Sequence, residues 1–103
     1  MTVTIRCESL PYCSALDERA FFEWISRIPA ITKVWGELEV LYLEVASLPI
    51  DEHDLRELLA LLYRYDGPLD QLRQFENKDN RKWLRNPEAF WFPGVYGELD
   101  ART

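Results

Sequence analysis

The stretch Ile50 to Asp66, IDEHDLRELLALLYRYD, decides how the rest of the chain reads. Leu55, Leu58, Leu59 and Leu62 are spaced i, i+3, i+4, i+7, which puts all four on one stripe of an α-helix. Tyr63 and Tyr65 widen the stripe. Ala60 and Leu61 lie off it, so the helix is predicted to be covered on more than one face. Asp51 is placed to cap the first amides, and the cluster Asp51, Glu52, Asp54 suits the positive end of the helix dipole. Ile50 and Leu55 form a hydrophobic staple across the cap. The helix stops at Asp66-Gly67-Pro68, because Gly ends a helix easily and Pro cannot continue one.

Toward the N-terminus, Thr2 to Glu8 alternates. Val3, Ile5 and Cys7 point one way and Thr4, Arg6 and Glu8 the other, the pattern of a half-buried strand. Pro11 marks a loop. Asp17 is then predicted to cap a second helix, with Leu16 and Phe21 as its staple. Phe21, Trp24, Ile25 and Ile28 share its apolar stripe, and Pro29 ends it. Ile31 to Trp35 reads as a short strand, Gly36-Glu37 as the turn, and Leu38 to Ala46 as the strongest strand. Leu41, Leu43 and Val45 line one face of that strand, and Leu38, Val40 and Tyr42 the other. Apolar groups on both faces predict a central strand or partial cover on its second face.

Toward the C-terminus, Pro68 to Phe75 reads as a short helix and Asn77 to Asn80 as its break. Arg81 to Arg85 is a helical turn. Asn86-Pro87 opens another over Glu88 to Phe92, which Pro93-Gly94 stops. The order β-α-β-β-α-α predicts an α+β fold: about three strands, two main helices packed on one face, and short C-terminal helical turns. Residues 1–97 form one domain, with no repeat or linker, and 98–103 a frayed tail. A sheet this small leaves edges, so a homodimer through an edge or through Trp91 is open.

At 103 residues, 48% hydrophobic and 14% aromatic, the chain has the material for a single core. No apolar run approaches the roughly 18–20 residues of a membrane span. The start, MTVTIRCESL, has no basic segment followed by an apolar one, so a cytoplasmic protein with Cys7 and Cys13 as thiols is expected. The net charge of −6 disfavours nucleic-acid binding over the whole surface. The charge is uneven, however. Residues 73–85 carry five cations (Arg73, Lys78, Arg81, Lys82, Arg85) against Glu76 and Asp79, net +3, which leaves −9 for the remainder.

Chemistry-bearing patterns are few. His53 is the only histidine and sits among acids in a helix's first turn, so an exposed structural residue is the reading, and one His is a poor metal set. Cys7 and Cys13 are six apart, unlike a zinc pair. Catalysis by Cys13 would need a base, for which only His53 is available. Four scattered glycines form no phosphate-cradling loop. No catalytic residue, metal or cofactor is assigned.

The candidate site is therefore the aromatic-basic segment 73–96, above all Arg73, Arg81, Lys82, Trp83, Arg85 and Trp91. Phe75, Phe90, Phe92 and Tyr96 are read mostly as a lid folded onto the core. Phe90, Trp91 and Phe92 are consecutive and cannot all face one way. The leading expectation is a small non-catalytic protein-interaction domain. A sharper version is an acidic inhibitor or immunity-type protein, whose Glu37, Glu39, Glu44, Asp51, Glu52 and Asp54 steer it to a basic protein partner such as a nuclease. The alternative is a ligand or single-stranded nucleic-acid binder that uses only the basic stretch 73–85 and its aromatics. An enzyme depending on Cys13 or His53 is the third.

Overall fold

A computed structural model describes residues 2–46 and 49–100. Its elements are β1 (Val3–Glu8), α1 (Ala15–Ile25), β2 (Ile31–Glu37), β3 (Val40–Val45), α2 (Glu52–Arg64), a 3-10 helix (Leu69–Phe75), α3 (Arg81–Leu84) and α4 (Phe92–Asp100). The protein is α+β, with a three-stranded antiparallel sheet in the order β1-β3-β2.

The alternation in β1 does what it predicts. Ile5 and Cys7 are fully buried, as are Leu43 and Val45 on β3, while Thr4, Arg6 and Glu8 are exposed on the opposite face. The helices therefore cover one face of the sheet, and β3, apolar on both sides, is the central strand. In α2, Leu55, Leu58, Leu59, Leu61 and Leu62 are all fully buried. Sheet and α1 cannot both lie along one stripe, so the extra leucine is used where further elements pack. Asp51 caps α2 by accepting a 2.8 Å hydrogen bond from the Asp54 amide.

α1 and α2 run antiparallel. The Tyr65 hydroxyl at the end of α2 donates to the Asp17 carbonyl at the start of α1 (3.3 Å). At the other end the buried Asp54 carboxylate accepts the Ala30 amide (3.0 Å). Between them the Trp24 indole N–H donates to Glu57 (3.0 Å).

Three local readings need correction. The cap of α1 is Ser14, not Asp17. Ser14 is extended and its hydroxyl accepts the Asp17 amide (3.1 Å), while the Asp17 carboxylate accepts the Cys13 amide (2.8 Å). A serine and a carboxylate three apart satisfy two early amides at once, so the helix begins one turn sooner. That bond from Cys13, its main cause, holds the Asp17 carboxyl below the usual range. Leu16 is left 72% exposed and staples nothing.

The second correction is the hairpin turn. β2 continues through Gly36 to Glu37, which pairs with Val40, so the turn is Leu38-Glu39. Leu38 has a φ of 57° and is fully exposed. Its hydrophobicity made it read as strand, yet it contributes nothing to the sheet.

The third is Pro93-Gly94, which begins a helix instead of ending one. Pro93 is the second residue of α4, where its missing N–H is one that no helix would satisfy. Gly94 is there for contact: a Cβ would come within 2.5 Å of Leu69 Cδ1 on the 3-10 helix. α4 then takes in Gly97 and continues to Asp100, so the backbone of 98–100, read as the start of a frayed tail, is helical. Residues 101–103 lie outside those described.

Candidate functional site

The basic segment is organised by one acid. Glu76 Oε1 accepts from Arg85 Nε (2.6 Å) and from the Tyr96 hydroxyl (2.6 Å), and Oε2 from Arg81 Nε (3.2 Å). Burial by itself would raise the Glu76 pKa. The bonds from Arg85 and Tyr96, and then Arg81, outweigh it and hold Glu76 below its ordinary 4.5. Burial and the bond to Glu76 push the Tyr96 phenol up. Two of the candidate binding cations are thus tied to their own chain.

The sign of the resulting pH dependence follows. A carboxylate that ionises more readily when folded contributes its full stability above 4.5 and loses it as pH falls through the lower folded value. Glu76→Gln is expected to cost about 1–3 kcal/mol near pH 7, at the low end because both guanidiniums are half exposed. It should also flatten the decline in stability below pH 4.5. Urea titrations of both proteins at neutral and acidic pH read this directly.

The aromatics divide three ways. Trp91 is buried, and its indole N–H donates to the Leu84 carbonyl (2.8 Å). Phe90 is 47% exposed against Tyr63, and Phe92 is half-buried. Trp83 is half-buried with the Arg56 guanidinium 4.2 Å over its ring. Lys82, Trp83 and Arg85 line an open recess of about 590 Å³ with Asp79, Asn86 and Pro87. Arg73 lies apart from it, beside Asp70, Pro93 and Gly94 in a separate hollow. Of the six residues expected to bind, the structure brings Lys82, Trp83 and Arg85 together, with Arg81 alongside through Glu76, and puts Trp91 in the core.

The acidic set also divides. Glu37 and Glu39 sit at the tip of the hairpin, and Glu39 accepts from the Ser9 hydroxyl (3.4 Å). Asp51 and Glu52 begin α2, where Glu52 binds Arg56 (2.7 Å). Glu44 accepts from Thr32 (3.1 Å) near that same end of the sheet. A rise of about 3.4 Å per residue separates Val40 from Glu44 by roughly 14 Å, so the carboxylates form two groups. Asp54 belongs to neither, being buried on Ala30.

Cys13 and His53 are not partners. Cys13 adjoins the start of α1, which meets the end of α2, while His53 is in the first turn of α2. Twelve helical residues at 1.5 Å separate those ends by about 18 Å. Burial pushes the Cys7 thiol up to about 12, and Cys7 packs as a small hydrophobe. Asp51, His53 and Asp54 place ligand-type atoms within 4.8 Å of one another. Asp51 and Asp54 already accept backbone amides, so the set offers a metal little.

Two surfaces escaped sequence reasoning. The first is a groove of about 410 Å³ on the helix-covered side at the hairpin end. Leu10, Tyr12, Phe22, Leu38 and Leu41 give it apolar walls, and Glu18 and Glu39 stand on its rim. Gly36 leaves its floor open, since a Cβ there would meet only the Val40 carbonyl at 3.8 Å. Tyr12 rests edge-on against Phe21 (5.4 Å) and Tyr65 (6.2 Å). Burial, and next the nearby Glu18, push its phenol up to about 12.

The second is the uncovered sheet face. Trp35 and Tyr42 are paired across β2 and β3 and stack at 5.2 Å and 12°. The Lys33 ammonium lies 4.9 Å from the Trp35 ring and the Arg6 guanidinium 5.9 Å from the Tyr42 ring. The alternation Arg6 on β1, and Lys33, Trp35, Glu37 on β2, was visible in the sequence. Their gathering on one face, with Arg6 and Trp35 in one row through Tyr42, needed the register.

No protein-family model matches the chain, and no curated protein or solved structure matches it. No described helix is long and apolar enough to cross a membrane.

Proposed function

We propose that the chain is a non-catalytic protein-interaction domain, an acidic inhibitor or immunity-type protein, that docks a basic partner through the groove at the hairpin end. The observation that carries this reading is Leu38. A leucine with a φ of 57° in a two-residue turn stores backbone strain, and full exposure adds an apolar surface to water. Glycine or asparagine would be better in both respects for folding alone. Leu38 stands at the mouth of a groove whose other walls are Leu10, Tyr12 and Phe22, an apolar centre with an acidic rim. Glu18 and Glu39 supply the carboxylates of that rim. The complement of such a surface is an apolar anchor flanked by Arg or Lys, with the carboxylates raising the rate of encounter.

The test is an amide-resolved NMR titration with short peptides carrying one Leu, Met or Phe between basic residues. The shifts are expected at 9–12, 18–22 and 36–41, to weaken with salt, and to disappear in Leu38→Asp. Leu38→Gly should fold at least as stably as the parent yet bind less. Shifts confined to 73–96, or untouched by both substitutions, would sink the reading.

A second reading, binding of single-stranded nucleic acid, is supported by the recess of Lys82, Trp83 and Arg85. It ranks lower because Arg81 and Arg85 are already bound to Glu76 and Arg56 lies over Trp83. A change in Trp83 fluorescence on adding oligonucleotides would favour it.

A further inference from the structure

The two edges of the sheet are treated differently by the chain. On β1, the Gln71 side chain acts as a one-residue strand: Arg6 N–H donates to its Oε1 (3.0 Å), and its Nε2 donates to the Arg6 carbonyl (2.9 Å). On the other edge, β2 has no such cover; among the described residues nothing outside the hairpin hydrogen-bonds Val34 or Gly36.

The Gln71 contact also fixes which groups β2 presents outward. Because both backbone groups of Arg6 face away from β3, Arg6 and Tyr42 are a non-hydrogen-bonded pair. Tyr42 therefore directs its own N–H and C=O toward β2, where its partner is Trp35. Bonding alternates along the strand, so Trp35 bonds inward while Val34 and Gly36 direct their N–H and C=O groups at the open edge.

We propose that the protein forms a two-fold homodimer by antiparallel pairing of β2 with β2 of a second copy, centred on Trp35. In that register Val34 meets Gly36 of the second copy, and Gly36 its Val34, giving four backbone hydrogen bonds from groups otherwise left bare. Gly36 has open space where its Cβ would be, which leaves room beside the incoming Val34. Trp35 faces its own counterpart in a close non-hydrogen-bonded pair. Lys33 stands opposite Glu37 of the second copy, and Glu37 opposite its Lys33.

The charges select this register. The bonding alternation allows only shifts of two residues in pairing. One shift each way sets Trp35 against Lys33 or Glu37, and the next sets Lys33 against Lys33 or Glu37 against Glu37. Only the register centred on Trp35 makes two ion pairs. The irregularity between Ile31 and Lys33 ends regular pairing on one side and the turn at Leu38 ends it on the other, so 33–37 is the length available.

The product is a six-stranded sheet whose two outer strands are both β1, each carrying the Gln71 contact at Arg6. The edge that no described side chain covers is thereby paired, and a sheet edge left bare invites uncontrolled pairing. The row Arg6–Tyr42–Trp35 continues through the two-fold axis into the same row of the second copy.

Sedimentation equilibrium across the micromolar range tests the proposal. The parent protein is expected to approach twice 12.2 kDa as concentration rises. Lys33→Glu and Glu37→Lys should each weaken self-association by about tenfold or more, since each turns two cross-strand attractions into repulsions. An equimolar mixture of the two variants should form a heterodimer, because every opposed pair is then oppositely charged, and the double swap should dimerise alone. Association in the mixture also shows that both variants fold. A monomer at every concentration would overturn the proposal. So would a dimer that neither single substitution weakens, or one in which mixing restores nothing.

Discussion

Trp91→Ala is expected to cost about 3–5 kcal/mol, a large part of the roughly 5–15 kcal/mol that holds a domain of this size. Trp91 is 6% exposed and links three parts of the C-terminal segment. Its ring meets Trp83 edge-on at 5.8 Å and Phe90 at 5.0 Å, and its indole N–H is bound to the Leu84 carbonyl at the end of α3. Arg56 of α2 lies over Trp83 and 5.7 Å from the Trp91 ring, so the same cluster joins the segment to the central helix. Truncation removes the anchor, opens a cavity and strands a buried carbonyl. Trp91→Phe keeps most of the volume and loses the hydrogen bond, so it should cost about 1–2 kcal/mol. Urea unfolding followed by circular dichroism separates the two. A loss under 1 kcal/mol for Trp91→Ala would mean that the segment is not held by this ring.

Phe21→Ala is expected to lose a similar 3–5 kcal/mol. Phe21 is fully buried and edge-on to Tyr65 (4.9 Å), Phe22 (5.3 Å) and Tyr12 (5.4 Å). It joins α1 to the end of α2 and supports the Tyr12 wall of the groove. Removing the ring lets water reach Tyr12, so the Tyr12 phenol, now at about 12, should titrate nearer its ordinary 10. Ultraviolet titration of the phenolates reads that change independently of stability. Phe21→Leu, which keeps most of the volume, should cost less than about 2 kcal/mol. An unchanged Tyr12 titration in Phe21→Ala would show that the ring does not shield it.

The α+β class and the order of the main elements were legible because burial imposes periods that a sequence displays: 3.6 in Leu55–Leu62 and 2 in Val3–Glu8. Capping was legible where one residue type at one spacing serves, as at Asp51. It was misread at Asp17, where the serine three residues earlier caps the helix and the Asp17 carboxylate turns back to the Cys13 amide. Pro93-Gly94 misled because a proline that stops one helix has the backbone angle that starts another. The close contact of Gly94 with Leu69, 25 positions earlier, decides between them and has no local signature.

The candidate sites follow the same division. From residue types and spacing alone, the chain determined its class, its single core around the Leu55–Leu62 stripe, its acidic balance and the cluster of cations at 73–85. Only the tertiary structure decided what those charges can do. It tied Arg81 and Arg85 to Glu76, buried Asp54 on Ala30, and put Trp91 inside the core. It also gathered Leu38, Tyr12 and Phe22 into a groove and aligned Lys33, Trp35 and Glu37 beside an uncovered edge. The reason is that burial period is a property of neighbours in the chain. Charge pairing, exposure and strand register depend on which distant residues come to lie within a few ångströms.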